Sequence, residues 1–238
     1  MLLQFFLVFL VLGGGMFFSV KASKLSEAGA VTGGLLGFVI FLGAGFTGLT
    51  MLTMFFILGT AASAWKINYK TNLGLAEENK GRRTASQAIA NAGVAGILGL
   101  LSWLFPVKAD LFSIMLAASF AAATADTLSS ELGNIYGTKY YNILTLKPDK
   151  RGLNGVVSTE GTLIGALGSS LIALIYGLGI AWDWAVLWII IASGIMGNLA
   201  DSVLGATLER QKYLSNDAVN FLNTLVGALV AGLFYVWV

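Results

Sequence analysis

The 238-residue chain contains no cysteine and no histidine. That excludes disulfides, thiolate nucleophiles, imidazole acid/base chemistry and the common zinc and haem ligand sets. Proline is scarce, with 2 residues, and charged side chains make up only 11%, against roughly 25% in a soluble domain. The 14 Lys and Arg nearly balance the 12 Asp and Glu, and a net charge of +2 is too small to argue for a nucleic-acid partner. What is present is apolar: 57% hydrophobic residues and 30 glycines. This is the composition of a membrane protein, in which glycine lets helix backbones approach closely. Its chemistry must rest on carboxylates, amides, hydroxyls, Lys and Arg, with a hard metal ion as an option.

Apolar runs long enough to cross about 30 Å of hydrocarbon at 1.5 Å per residue fall at 2–20, 28–43, 47–65, 85–105, 111–125, 157–179, 184–204 and 218–237. They predict an all-α polytopic bundle of eight transmembrane helices, or seven if the short second or fifth run does not cross. Basic residues are retained in cytoplasmic loops. With both termini outside, 13 of the 14 fall on the inner side (Lys21, Lys24, Lys66, Lys70, Lys80, Arg82, Arg83, Lys139, Lys147, Lys150, Arg151, Arg210 and Lys212), leaving Lys108 outside. The first run has neither a basic n-region nor a small-residue cleavage site, so it is expected to be a retained helix and not a signal peptide. The expectation is one transmembrane domain over 1–238 with its active site on the cytoplasmic face of an integral membrane protein, the plasma membrane in a prokaryote.

Ionisable and amide side chains in membrane helices are costly and are functional candidates by default. Five segments hold nearly all of them. Arg82 and Arg83 precede Gln87 and Asn91, which lie one turn apart; the arginines also serve as topological anchors, whereas two amides in an apolar helix need partners. If the fifth helix continues past 125, Asp126, Ser130 and Asn134 share one face, with Thr127 and Glu131 on an adjacent stripe. Oxygen donors in that pattern suit magnesium; an amphipathic helix end meeting water is the plainer reading. Lys147, Lys150 and Arg151 lead through Gly152, Asn154 and Gly155 to Ser158 and Thr159, an anion site at a helix start or a plain N-cap. Asn198, Asp201 and Ser202 share a face two turns before Glu209. Asn216, Asn220 and Asn223 form a last row, either ligands or interhelical glue. Gly43 to Gly48 matches a dinucleotide fingerprint literally but follows no strand, and is rejected. Glycine pairs such as Gly29/Gly33 and Gly161/Gly165 fit packing within the chain better than a specific dimer, and leave a homo-oligomer open.

At these five segments the sequence resembles the integral membrane family DUF92, which includes transmembrane protein 19 and the plant and cyanobacterial phytyl-phosphate kinases. The residues that carry the resemblance run in order: Gly81-Arg82-Arg83 with 87–91, Ala125-Asp126-Thr127 with 130–133, Gly152 to Gly161, Asp201 to Thr207, and Val219-Asn220 with Asn223. Ser129 and Asn134-Ile135-Tyr136 depart from the family pattern, which touches substrate identity more than reaction class. The resemblance implies phosphoryl transfer from a nucleoside triphosphate, typically CTP, to a prenyl or phytyl monophosphate at the inner membrane face. Asp126, Glu131 and Asp201 would then hold Mg2+, while Lys147, Lys150, Arg151 and Arg82 grip phosphates and the prenyl tail lies between glycine-rich helices. A CDP-lipid-forming cytidylyltransferase and a transporter or flippase of a phosphorylated lipid are the alternatives. A transporter would place polar groups near the midplane, whereas here they gather at one end.

Overall fold

The computed structural model describes residues 2–76 and 81–237; Lys80 of the predicted inner set lies outside them. The chain is helical almost throughout: α1 (Leu2–Lys21), α2 (Glu27–Ala64), α3 (Ile67–Asn72), α4 (Ala85–Leu104), α5 (Ala109–Tyr136), α6 (Thr159–Gly179), α7 (Trp184–Leu204) and α8 (Asn216–Trp237). Among the described residues seven of these, all but α3, are long and apolar enough to cross a membrane.

The second of them carries two of the predicted runs. Its 38 residues are interrupted at Gly45, whose φ of 58° and ψ of −152° lie where only glycine sits without strain. The chain doubles back there. A Cβ on Gly37 would meet the Leu49 and Leu52 side chains, and Gly29 and Gly59 both approach Arg83. At 1.5 Å per residue, arms of this length each reach about 27 Å, so α2 is a helical hairpin, and the described residues hold eight segments long enough to cross. The fifth run is not short: α5 extends through Tyr136, which puts the polar stretch after Ala125 on the same helix.

α5 is the axis of the bundle, packed against α2, α4, α6, α7 and α8. Its middle is small and fully buried, with Ala117, Ala118, Ala121, Ala122, Ala123 and Ala125 in contact with its neighbours on all sides. Glycines on those neighbours complete the fit: a Cβ at Gly194 would sit 2.8 Å from Ala121 Cβ, and one at Gly168 2.9 Å from Leu128. Close backbone approach of this kind replaces the hydrophobic driving force that lipid does not supply between helices. α1 lies at the edge, with Val8 its one buried residue.

One end of the bundle is closed by short connections. The Gly45 turn, the Pro106–Lys108 3-10 turn and residues 180–183 meet there, joined by Ser102 Oγ donating to Gly43 O at 2.9 Å. The opposite end carries the long connections. Residues 24–26 pair with 82–84 through Arg83 N to Lys24 O (3.0 Å) and Ser26 N to Arg83 O (2.9 Å). Between α5 and α6, β1 (Tyr141–Asn142) and β2 (Val156–Val157) form a short antiparallel pair that folds 141–157 over the helix ends.

Candidate active site

At this polar end a cavity of about 230 Å³ opens between α4, α5, α7, α8 and the 152–158 segment. Four of its walls come from helical segments and the fifth from the non-helical crossing segment. From α4 and its approach come Arg83, Gln87 and Asn91; from α5, Asp126, Ser130 and Asn134; from α7, Asn198, Asp201 and Ser202, with Glu209 beyond; from α8, Asn216 and Asn220; from the crossing segment, Asn154 and Ser158. These fourteen predicted positions therefore converge on one space, although they are spread over 138 positions of sequence.

Asp126 and Asp201 meet within this cavity. Their carboxyls come within hydrogen-bonding reach of each other across the α5–α7 interface, and Asp201 Oδ2 is buried with no hydrogen-bond partner among the described residues. Two carboxylates are acceptors only, so they meet stably around a shared proton or cation. Glu209 faces the same space because residues Gly205–Glu209 form a π turn, closed by Arg210 N donating to Gly205 O at 3.2 Å. That turn holds one residue more than an α turn, so Glu209 takes the angular place of a residue seven after Asp201, close to two full turns away.

The polar shell around the pair is anchored locally. Thr84 and Gln87 form a reciprocal capping box at the start of α4, with Thr84 N donating to Gln87 Oε1 at 2.9 Å; Gln87 thus has a structural task as well as a place on the wall. Asn91 Nδ2 donates to Gln87 O at 2.9 Å. Ser130 and Ser202 hydroxyls turn back to Thr127 O and Asn198 O. Ser158 caps α6 by accepting from Gly161 N at 3.1 Å, the N-cap alternative, while still lining the cavity. Gly155, with φ of 73°, brings the crossing segment against α7, where a Cβ on Gly205 would lie 3.0 Å from Gly155 N.

Six predicted residues lie elsewhere. Glu131 projects from the opposite stripe of α5 into a buried ion pair with Lys70, whose ammonium also donates to Ala62 O (3.0 Å) and Ser63 O (2.7 Å). It does not join Asp126 and Asp201 as a third metal ligand, because five residues of helical rotation carry it off their face. Correspondingly, no three of Asp, Glu, His or Cys cluster to hold a metal among the described residues. Arg151 is a pin and not a phosphate grip: its guanidinium lies 5.5 Å from the Tyr69 ring and 5.7 Å from the Tyr140 ring, and donates to Asn134 O. Lys147 and Lys150 point to solvent outside the cavity. Arg82 donates to Leu25 O on the outer surface of the 82–84 pairing. Asn223 sits deeper, fully buried between α7 and α8, with neither amide atom hydrogen-bonded among the described residues.

Sequence reasoning missed Tyr140, which lines the cavity and bonds Gly133 O and Gly137 O. Burial raises its phenol above the ordinary range, against the opposing pull of Arg151. It also missed Lys70, whose pairing at 61 residues' separation leaves no local signal. Among the described residues Arg83 is the one cation on the cavity wall, which also carries three carboxylates. The donor set is thus oxygen-rich and net acidic, with an orphaned carboxylate oxygen at its centre. That fits magnesium, which takes one or two protein carboxylates and completes its shell with water and phosphate oxygens.

The family described as integral membrane protein DUF92 matches residues 10–228. An uncharacterized membrane protein of Methanocaldococcus jannaschii is 35% identical over 215 residues, covering 90% of this chain and 87% of its own length. Protein VTE6, chloroplastic, of Arabidopsis thaliana is 34% identical over 215 residues, 87% of this chain and 64% of VTE6, so this chain spans just under two thirds of that relative. An uncharacterized membrane protein of Synechocystis is 34% identical over 200 residues, 83% of this chain and 77% of that protein. No solved structure matches the chain. Matched over most of its length and threaded through every wall of the polar cavity, the chain belongs to the DUF92 family of integral membrane proteins.

Proposed function

We propose that the chain is a prenyl-phosphate kinase, transferring the terminal phosphoryl group of a nucleoside triphosphate, CTP in the first instance, to a prenyl or phytyl monophosphate at the cytoplasmic membrane face. The observation that supports this reading most is the Asp126–Asp201 pair at the floor of an acidic, amide-lined cavity at one end of a membrane bundle. An acidic cavity attracts phosphates only with a cation between, which is the economy of phosphoryl transfer: positioning and charge neutralisation, with little covalent help. Magnesium bound at Asp126 and Asp201 would supply that neutralisation.

The chain's own groups do the remaining work. Arg83 meets a phosphate oxygen; Gln87, Asn91, Asn198, Asn216 and Asn220 offer amide donors to phosphates and to a nucleobase. In the transfer, an oxygen of the acceptor monophosphate bonds to the γ-phosphorus as the bond from that phosphorus to the β-bridging oxygen breaks, and the nucleoside diphosphate leaves. The acceptor is already an anion, so the chemistry needs no histidine.

The test incubates purified protein in lipid with magnesium, each labelled nucleoside triphosphate in turn, and phytyl or geranylgeranyl monophosphate. Prenyl diphosphate with nucleoside diphosphate is the expected pair. Nucleotidyl lipid with pyrophosphate would move the chain to the cytidylyltransferases, and no turnover with any donor would move it to the transporters.

A further inference from the structure

A second hollow adjoins the polar one. It is an apolar groove of about 160 Å³ between α1, both arms of α2 and the first turns of α4, and Arg83 and Gln87 line both spaces. We propose that this groove holds the head-proximal part of the prenyl chain while the phosphate reaches past Arg83 into the polar cavity. The proposal takes its substrate from the kinase reading above.

An amphiphile with an anionic head and a hydrocarbon tail needs a polar and an apolar compartment with a common boundary, and Arg83 forms that boundary. Its backbone is fixed on both sides by Lys24 and Ser26, and its guanidinium lies 4.9 Å from the Phe55 ring, the aromatic wall of the groove. A planar cation stacked on an aromatic face is suited to meet a phosphate on one edge and hydrocarbon on the other.

The groove exists because two helices touch along one row and stand apart along the next. At Gly34 and Gly37 an added Cβ would strike Met16 and Leu12 of α1, so there the helices are in contact. At Gly15 and Gly33, one on each wall, an added Cβ would meet nothing within 4 Å. Ordinary close packing explains the first pair of glycines; it does not explain the second, whose missing side chains are the width of the slot. The depth is finite. From Ser19 near the polar end to Val11 at the far end, eight residues rise about 12 Å, less than half of the roughly 30 Å of hydrocarbon. The groove therefore gauges the beginning of the chain, and the distal isoprene units leave into the bilayer.

The test uses the full chain in phosphatidylcholine nanodiscs and a geranylgeranyl monophosphate carrying a diazirine near its head. Photolysis and peptide mapping are expected to place adducts at Leu36, Leu52 or Phe56. Gly33→Leu, and independently Gly15→Leu, should weaken that labelling roughly tenfold, the loss expected when about two buried methylenes are displaced. Gly13→Leu, on the lipid-facing side of α1 and outside the groove, should not. Unlabelled geranylgeranyl monophosphate should compete and geranylgeraniol should not. Adducts away from the groove, labelling indifferent to both leucines, or equal competition by the alcohol, which would mean the groove holds any membrane chain, would overturn the proposal. Groove labelling without nucleotide-dependent turnover would keep the groove and overturn the kinase.

Discussion

Removing the charge of Glu131 tests the division of labour on α5. Lys70 and Glu131 are 1% and 7% exposed, and the ammonium spends its three donors on Glu131, Ala62 O and Ser63 O. Glu131→Gln leaves that ammonium buried opposite a neutral amide, and loss of one partner of a buried pair costs about 3–5 kcal/mol. Lys70→Met strands the carboxylate and should cost as much. In the double variant Lys70→Met/Glu131→Met no charge is stranded; Ala62 O still accepts from Trp65 N at 3.2 Å, so the deficit left is that of the Ser63 carbonyl, about 1–3 kcal/mol. The double variant should therefore be more stable than either single one. Thermal unfolding of the detergent-solubilised protein, analysed as a double-mutant cycle, reads this directly, with turnover measured well below the midpoint. Unchanged stability in Glu131→Gln together with abolished magnesium-dependent turnover would refute the reasoning and return Glu131 to the metal site.

Asp126→Asn and Asp201→Asn should each leave the protein folded and lower turnover by at least about a hundredfold, since several kcal/mol of charge stabilisation passes through a metal site; a raised magnesium requirement by titration would accompany any residual activity, and a variant with wild-type rates would sink the assignment. Asn223→Leu removes two buried amide atoms that lack partners among the described residues, so its melting temperature should hold or rise, whereas a marked fall would show that the amide is satisfied and structurally needed. Asp149 is held below the usual carboxylate range first by the Lys150 N–H, then by Arg210 and Asn142. Because the folded state depresses this group, its contribution is full above the unfolded value and fades as pH falls through the folded one; amide protection factors in 141–157, taken against the intrinsic rate at each pH, should fall on acidification in the wild type and be low already at neutral pH in Asp149→Asn.

Membrane crossings were legible because hydrocarbon imposes a length on each apolar run, and the polar wall was legible because helical rotation puts Asp126, Ser130 and Asn134, or Asn198, Asp201 and Ser202, on one face whatever they pack against. The hairpin at Gly45 followed from the same length rule, although nothing in the local sequence fixed how tightly it turns. What was not legible depends on partners distant in sequence. Glu131 stood on the stripe beside Asp126, and the partner that claims it, Lys70, lies 61 residues away in sequence. Arg151, Lys147 and Lys150 looked like a phosphate grip from their charge, but the β1–β2 pair directs the two lysines outward and the tyrosines claim the arginine. The groove was invisible for the same reason: an open glycine and a packed glycine read alike.

The π turn at Gly205–Glu209 also bears on how this site tolerates change in chain length. An extra residue inside an α-helix ordinarily rotates everything beyond it by about 100°; one such residue in α5 between Asp126 and Asn134 would break that wall apart. Here the surplus residue is absorbed within a single turn, so a chain lacking Thr207 would close into plain α-helix and still present Asp201 and the following glutamate on one face, with Arg210 in reach of Asp149. The end of α7 is thus a place where the loss of one residue should leave the acidic face of the cavity intact, which the same loss in the middle of α5 would not.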